Sequence, residues 1–229
     1  MSKTVQQKMS DGREYRDLLL SIVEAPDQEY RVEGYATTYD KPYHLYTMTE
    51  EDGYTYEVKE AVQRSAFDNT DLDDVIMQYN HEGRVFARVS NETLKVDKDN
   101  DEGLFISADL GGTTIGRQLF EEIKGGYTTK MSFGFIVKGD TFERVDQNKE
   151  GEVWLRTITD ISKVFDVSAV SLPANDMTSI SARAYCDGVI AEAEAERLHA
   201  KEEERLATER SQKRAELELR IKALKGESK

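Results

Sequence analysis

Between Leu104 and Phe135 the apolar residues change their period twice, and few folds accept such a segment. Leu104, Ile106, Ala108 and Leu110 alternate with Phe105, Ser107 and Asp109, the spacing of a strand with one buried face. Gly111-Gly112 stops that pattern, and Ile115, Leu119, Phe120 and Ile123 then recur at helical steps. Thr113 or Thr114 is placed to cap this helix, and Gly125-Gly126 to end it. Alternation resumes over residues 127–137, with Met131, Phe133 and Phe135 on one face and Ser132 and Gly134 on the other. The segment predicts strand, helix, strand, with the helix packed on the sheet. Ser132 is expected on the face away from the core, with open space beside Gly134.

The flanking sequence extends the sheet. Residues 16–23 and 30–39 read as an opening hairpin around Ala25-Pro26-Asp27, and residues 55–62 as a third strand. Between them, residues 40–53 are rich in Tyr, Thr and acid and read as a loop, and residues 65–69 as a helical turn whose Phe67 plugs the core. Residues 74–83 are an apolar strand running into a polar end, and His81 sits where it stops. Strands follow at 86–89 and 93–96. The acidic run 97–103 lacks the twelfth-position glutamate of an EF-hand and reads as a solvated turn. Beyond the Ser132 strand, residues 138–151 read as a polar loop, 153–158 as a strand anchored by Trp154, and 161–172 as the last strand, closed by Pro173-Ala174-Asn175. Alternation would put Val164, Asp166, Ser168 and Val170 on one face.

Past about residue 184 the composition shifts to Glu, Ala, Lys, Arg and Leu without proline, which predicts a long charged helix with a thin apolar stripe. Ten acidic and ten basic side chains lie from Val189 onward, so the body carries the whole formal charge of −14. The expected organisation is a flexible segment 1–15, a folded body 16–183 and a helical tail 184–229. An acidic body argues against nucleic acid as a partner. No run of about 18 apolar residues exists to span a membrane, and residues 1–8 lack the apolar core of a signal peptide. One cysteine and three histidines supply neither an internal disulfide nor a structural zinc cluster, and Cys186, in a polar stretch, reads as an incidental thiol.

Three residues carry candidate chemistry. Ser132, beside a glycine on a rigid element, suits a nucleophile, but a serine needs an adjacent base. His81, at a strand end, is of the type that titrates near neutrality. Asp166 would lie beside apolar neighbours, where a carboxylate needs hydrogen bonds and can orient an imidazole. The Gly-x-Ser-x-Gly elbow of α/β-hydrolase esterases is absent.

Taken together, Asn80-His81, Met131-Ser132-Phe133-Gly134-Phe135 and Phe165-Asp166-Val167-Ser168-Ala169-Val170-Ser171-Leu172-Pro173-Ala174-Asn175 resemble the prohead protease family of tailed bacteriophages over roughly residues 16–182. The resemblance implies a mainly β, α+β fold related to the herpesvirus maturation protease: a closed or partly closed β-barrel surrounded by helices, here followed by the charged C-terminal helix. It implies a serine endopeptidase with Ser132 as nucleophile, His81 as base and Asp166 in place of an acid that is glutamate in many members, a departure that shortens its reach by one methylene. Ala87 stands where many members have glycine before the arginine matched by Arg88, and backbone amides near Arg88 or Ser132 are the oxyanion donors to expect. No metal or organic cofactor is implied. The implied substrates are the major capsid protein, its scaffold and the enzyme itself, in the assembling procapsid within the host cytoplasm, with a homodimer as the oligomer. The competing reading is a non-catalytic capsid-assembly or scaffolding module that binds coat protein through its helix.

Overall fold

The computed structural model describes residues 13–22, 29–171 and 180–226. The two turns expected at Ala25-Pro26-Asp27 and Pro173-Ala174-Asn175 lie outside them, as do residues 1–12. The chain divides into two units, residues 1–183 and 184–229. The first is mostly strand. It contains β1 (Arg13–Ile22), β2 (Arg31–Thr38), β3 (Tyr43–Thr49), β4 (Thr55–Val62), β5 (Ile76–Tyr79), β6 (Glu82–Arg88), β7 (Leu94–Asp97), β8 (Gly103–Asp109), helix α1 (Thr114–Lys124), β9 (Lys130–Gln147) and β10 (Gly151–Val170). The strands hydrogen-bond in the order β3-β4-β10-β9-β1-β2-β8-β7, and the β5–β6 hairpin joins the sheet through β10.

That path curls back toward its start, because β6 and β7 are joined only by the short turn Val89–Asn91. The Arg88 N–H donates to Thr93 Oγ1 at 2.9 Å across that turn. No ladder pairs β6 with β7 among the described residues, so the sheet is not closed there, and of the expected closed or partly closed barrel the closed form is not what the strand order describes. One α-helix, α1, and two short 3₁₀ turns, Arg64–Phe67 with Phe67 buried and Val89–Asn91, rather than a surrounding set, accompany strands β1–β10 among the described residues. Thr113 caps it by accepting from the Gly116 N–H at 3.0 Å. Its apolar stripe, Leu119, Phe120 and Ile123, is buried in the same cluster as Met131, Phe133, Phe135, Val167 and Ala169.

Two stretches expected as loops are strands. Residues 43–49 form β3, an edge strand on β4 whose half-exposed side chains dilute any alternation. Residues 138–147 continue β9 to 18 residues along β10, and the backbone ladder rather than an apolar face holds them, since most are exposed. The hairpin turns at Asn148, whose side chain accepts from the Glu150 and Gly151 amides. Strand β10 is likewise one 20-residue strand with bulges rather than two strands.

A buried ionic cluster crosses five strands. Arg16 of β1 bonds both oxygens of the fully buried Glu60 of β4 and also Glu14. Arg156 of β10 reaches Glu14 at 2.7 Å, Glu60 at 3.0 Å and Asp140 of β9 at 2.6 Å. The Tyr43 hydroxyl of β3 donates to Glu60. Burial alone would push the Glu60 carboxyl up, but Arg16 and Arg156 outweigh it and hold Glu60 below the ordinary carboxylate value. Helix α2 (Ile180–Gly226), 47 residues long, runs through the second unit from its first residue, 184. Along it Arg205 pairs with Glu202 and Glu209, one turn to either side, at 2.6 Å each.

Candidate active site

His81 owes its position to a tight turn. Tyr79 pairs with Glu82, which leaves Asn80 and His81 as a two-residue hairpin loop between β5 and β6. Their φ angles are +51° and +59°, the sign that a primed hairpin turn requires at both central positions. Asparagine and histidine are both among the non-glycine residues found most often in that region. Three tethers to the end of β10 hold this tip. The Asn80 N–H donates to the Ala169 carbonyl at 3.0 Å, and the Asn80 Oδ1 accepts from the Ser171 N–H at 3.1 Å. The His81 N–H donates to Ser168 Oγ at 3.2 Å.

Asp166 reaches the histidine through a bulge. Val164 pairs with Phe135, yet Asp166 pairs with Gly134, so Phe165 is an extra residue in β10. This corrects the expected face: Val164 turns to the core with Phe135, and Asp166, Ser168 and Val170 share the opposite face with Gly134, Ser132 and Lys130. The Phe165 ring lies under the Arg13 guanidinium, 4.0 Å from its centroid. Asp166 Oδ1 then sits 2.5 Å from His81 Nδ1, so the shorter acid does reach the ring. Ser168 Oγ donates to the same Oδ1 at 2.8 Å.

Ser132 lies directly across from Ser168 in the β9–β10 ladder, on the face away from Met131 and Phe133. It is not beside open space. The residue is fully buried, and a Cβ on Gly134 would meet Asp166 Oδ2 at 2.5 Å and the Tyr15 ring at 2.8 Å. Gly134 therefore admits the carboxylate and Tyr15 rather than a ligand. Tyr15 in turn packs on the His81 ring, with centroids 4.2 Å apart. Two polar atoms of this site are left over: Ser132 Oγ and His81 Nε2 are both buried without a hydrogen-bond partner among the described residues. The structure thus joins His81 to Asp166 and places Ser132 on the same face of adjoining strands, without a bond between Ser132 and His81.

Such leftover atoms are costly, and a role in a reaction is one reason for a fold to keep them. An imidazole whose Nδ1 faces a carboxylate keeps Nε2 as an acceptor, and the hydroxyl it lacks is the unspent donor on Ser132. The Arg88 amide, one expected oxyanion donor, is already given to Thr93. Sequence reasoning missed Ser168, Tyr15 and the Asn80–Ser171 tie. Only the two-residue spacing of Asp166 and Ser168 hinted at the first. A groove of about 380 Å³ between β6 and α1, lined by Tyr79, Phe86, Ile115 and Leu119, lies on the core-facing side of β5, opposite the face of Gln78 and Ser168.

Compared with known families, residues 17–189 match the caudovirus prohead serine protease. No curated protein and no solved structure matches the chain. The matched span contains His81, Ser132, Asp166 and every strand of the sheet except the first four residues of β1.

Proposed function

The chain belongs to the caudovirus prohead serine protease family, and from that premise we propose that it is a serine endopeptidase that cleaves the scaffolding portions of the capsid proteins, and itself, within the assembling procapsid. In this reading Ser132 Oγ attacks the scissile carbonyl carbon while His81 Nε2 takes its proton. The imidazolium returns that proton to the leaving amine, and Asp166 fixes the ring and balances its charge. Water repeats the sequence on the acyl-enzyme and restores Ser132. The observation that carries the reading is the pair of orphaned atoms, Ser132 Oγ and His81 Nε2, beside an imidazole already held by a carboxylate.

Co-expression with the cognate coat protein tests it. Processing is expected with the unaltered chain and is expected to disappear in both Ser132→Ala and His81→Ala. Coat protein cut equally in both variants would instead favour the non-catalytic assembly module. We place catalysis in residues 16–183 and assign residues 184–229 as a tail that docks the protease in the procapsid or is trimmed there. Intact mass distinguishes these two: self-trimming predicts a shortened active chain and a full-length Ser132→Ala chain.

A further inference from the structure

The Ser168 hydroxyl is fully buried and serves two partners at once. It accepts the His81 main-chain N–H at 3.2 Å and donates to Asp166 Oδ1 at 2.8 Å. The same Oδ1 lies 2.5 Å from His81 Nδ1. The contacts close a ring: His81 main chain, Ser168 hydroxyl, Asp166 carboxylate, His81 side chain. A hydroxyl is the smallest side-chain group that is both donor and acceptor, which is what this position uses. Ladder register fixes the oxygen in place, because Ser168 pairs with Gln78 on one side and Ser132 on the other. Central pairing leaves the strand no freedom to slide.

We propose that Ser168 is a positioning residue of the active site, which sets the backbone of His81 and the carboxylate of Asp166 in a single geometry so that Nε2 is aimed toward Ser132. This rests on reading His81 as the base and Asp166 as its orienting acid. Two features make the role more than local packing. His81 sits in a left-handed turn conformation, and the Ser168 hydroxyl is the acceptor that fixes its amide there. The His81 ring and the Ser168 hydroxyl meet the carboxylate at one oxygen, Oδ1, so the hydroxyl acts on the same atom that faces the ring.

The test compares Ser168→Ala and Ser168→Thr in the full chain, with turnover on coat-protein peptide corrected for the active fraction titrated by a fluorophosphonate. Alanine is expected to lower kcat about 10²-fold with KM unchanged, the effect of a misplaced catalytic group. Threonine, which keeps the hydroxyl, is expected to restore most of it. In parallel, proton NMR on histidine-labelled protein should show the His81 Nδ1–H resonance in the unaltered and threonine proteins and its loss to water exchange in the alanine protein. Equal kcat per titrated site together with an intact Nδ1–H resonance in the alanine variant overturns the proposal. If the alanine variant does not fold, Ser168→Cys keeps the volume with a weaker donor and acceptor and is judged by the same two readouts. Should the unaltered chain and Ser132→Ala be equally inactive, the protease reading fails, and the NMR arm alone still decides whether Ser168 sets His81.

Discussion

At the scale of single residues, Asp166 meets the His81 ring because β10 bulges to bring it there. An aspartate is one methylene shorter than a glutamate, and the bulge at Phe165 turns Asp166 onto the face of His81 and within 2.5 Å of its ring. Asp166→Asn keeps the shape but offers the ring an amide that favours the wrong tautomer. It is expected to lower kcat by about 10⁴-fold with the far-ultraviolet circular dichroism unchanged. Gly134→Ala attacks the same contact from beneath, since its methyl would stand 2.5 Å from Asp166 Oδ2. Overpacking of this kind is expected to cost about 1–3 kcal/mol of stability in urea titrations and to remove activity as well, because the atom displaced is the carboxylate. Ser132 and His81 were legible in the sequence because each ends or interrupts an apolar pattern. The bulge was not, since an extra residue in a strand leaves the alternation 164, 166, 168 formally intact while reversing what Val164 faces.

Among elements, the helix and the short strands around it could be read directly. The stripe Leu119, Phe120, Ile123 is buried as its spacing requires, and Thr113 caps it. Thr113→Ala is expected to cost about 1 kcal/mol, read as a lower urea midpoint with kcat unchanged. The long β9–β10 hairpin was legible only in its buried half. From Lys138 on, β9 shows water most of its side chains, so no hydrophobic alternation records the strand, and only pairing with β10 defines it. Strand β3 was hidden for the same reason at the sheet edge. The Asn80-His81 turn falls between these cases: the end of β5 was visible, but Asn-His gives none of the glycine signal that usually marks a primed hairpin turn.

For the whole molecule, the least legible feature is the buried ionic cluster, because its members lie far apart in sequence and none belongs to an apolar pattern. Glu14, Arg16, Glu60, Asp140 and Arg156 meet only when β1, β4, β9 and β10 are in register. Its titration gives a pH signature. Glu60 has a depressed carboxyl in the folded state, so its contribution to stability is complete above the unfolded value of about 4.3 and is lost as pH falls through the folded value. Urea midpoints measured from pH 7 down to pH 3 should fall in the acid range. Glu60→Gln should be about 3 kcal/mol less stable at pH 7, with a shallower acid decline.

With Ser132 as the proposed nucleophile, the burial of its Oγ also bears on how the molecule would keep time. On that reading a nucleophile sealed from solvent would react at a rate set by exposure of the site rather than by its own chemistry. Labelling by a fluorophosphonate should therefore rise with reagent concentration and then level off, and the plateau measures how often that site is exposed. A plateau rate that increases in the presence of assembled coat protein would mean that the capsid shell itself starts the clock.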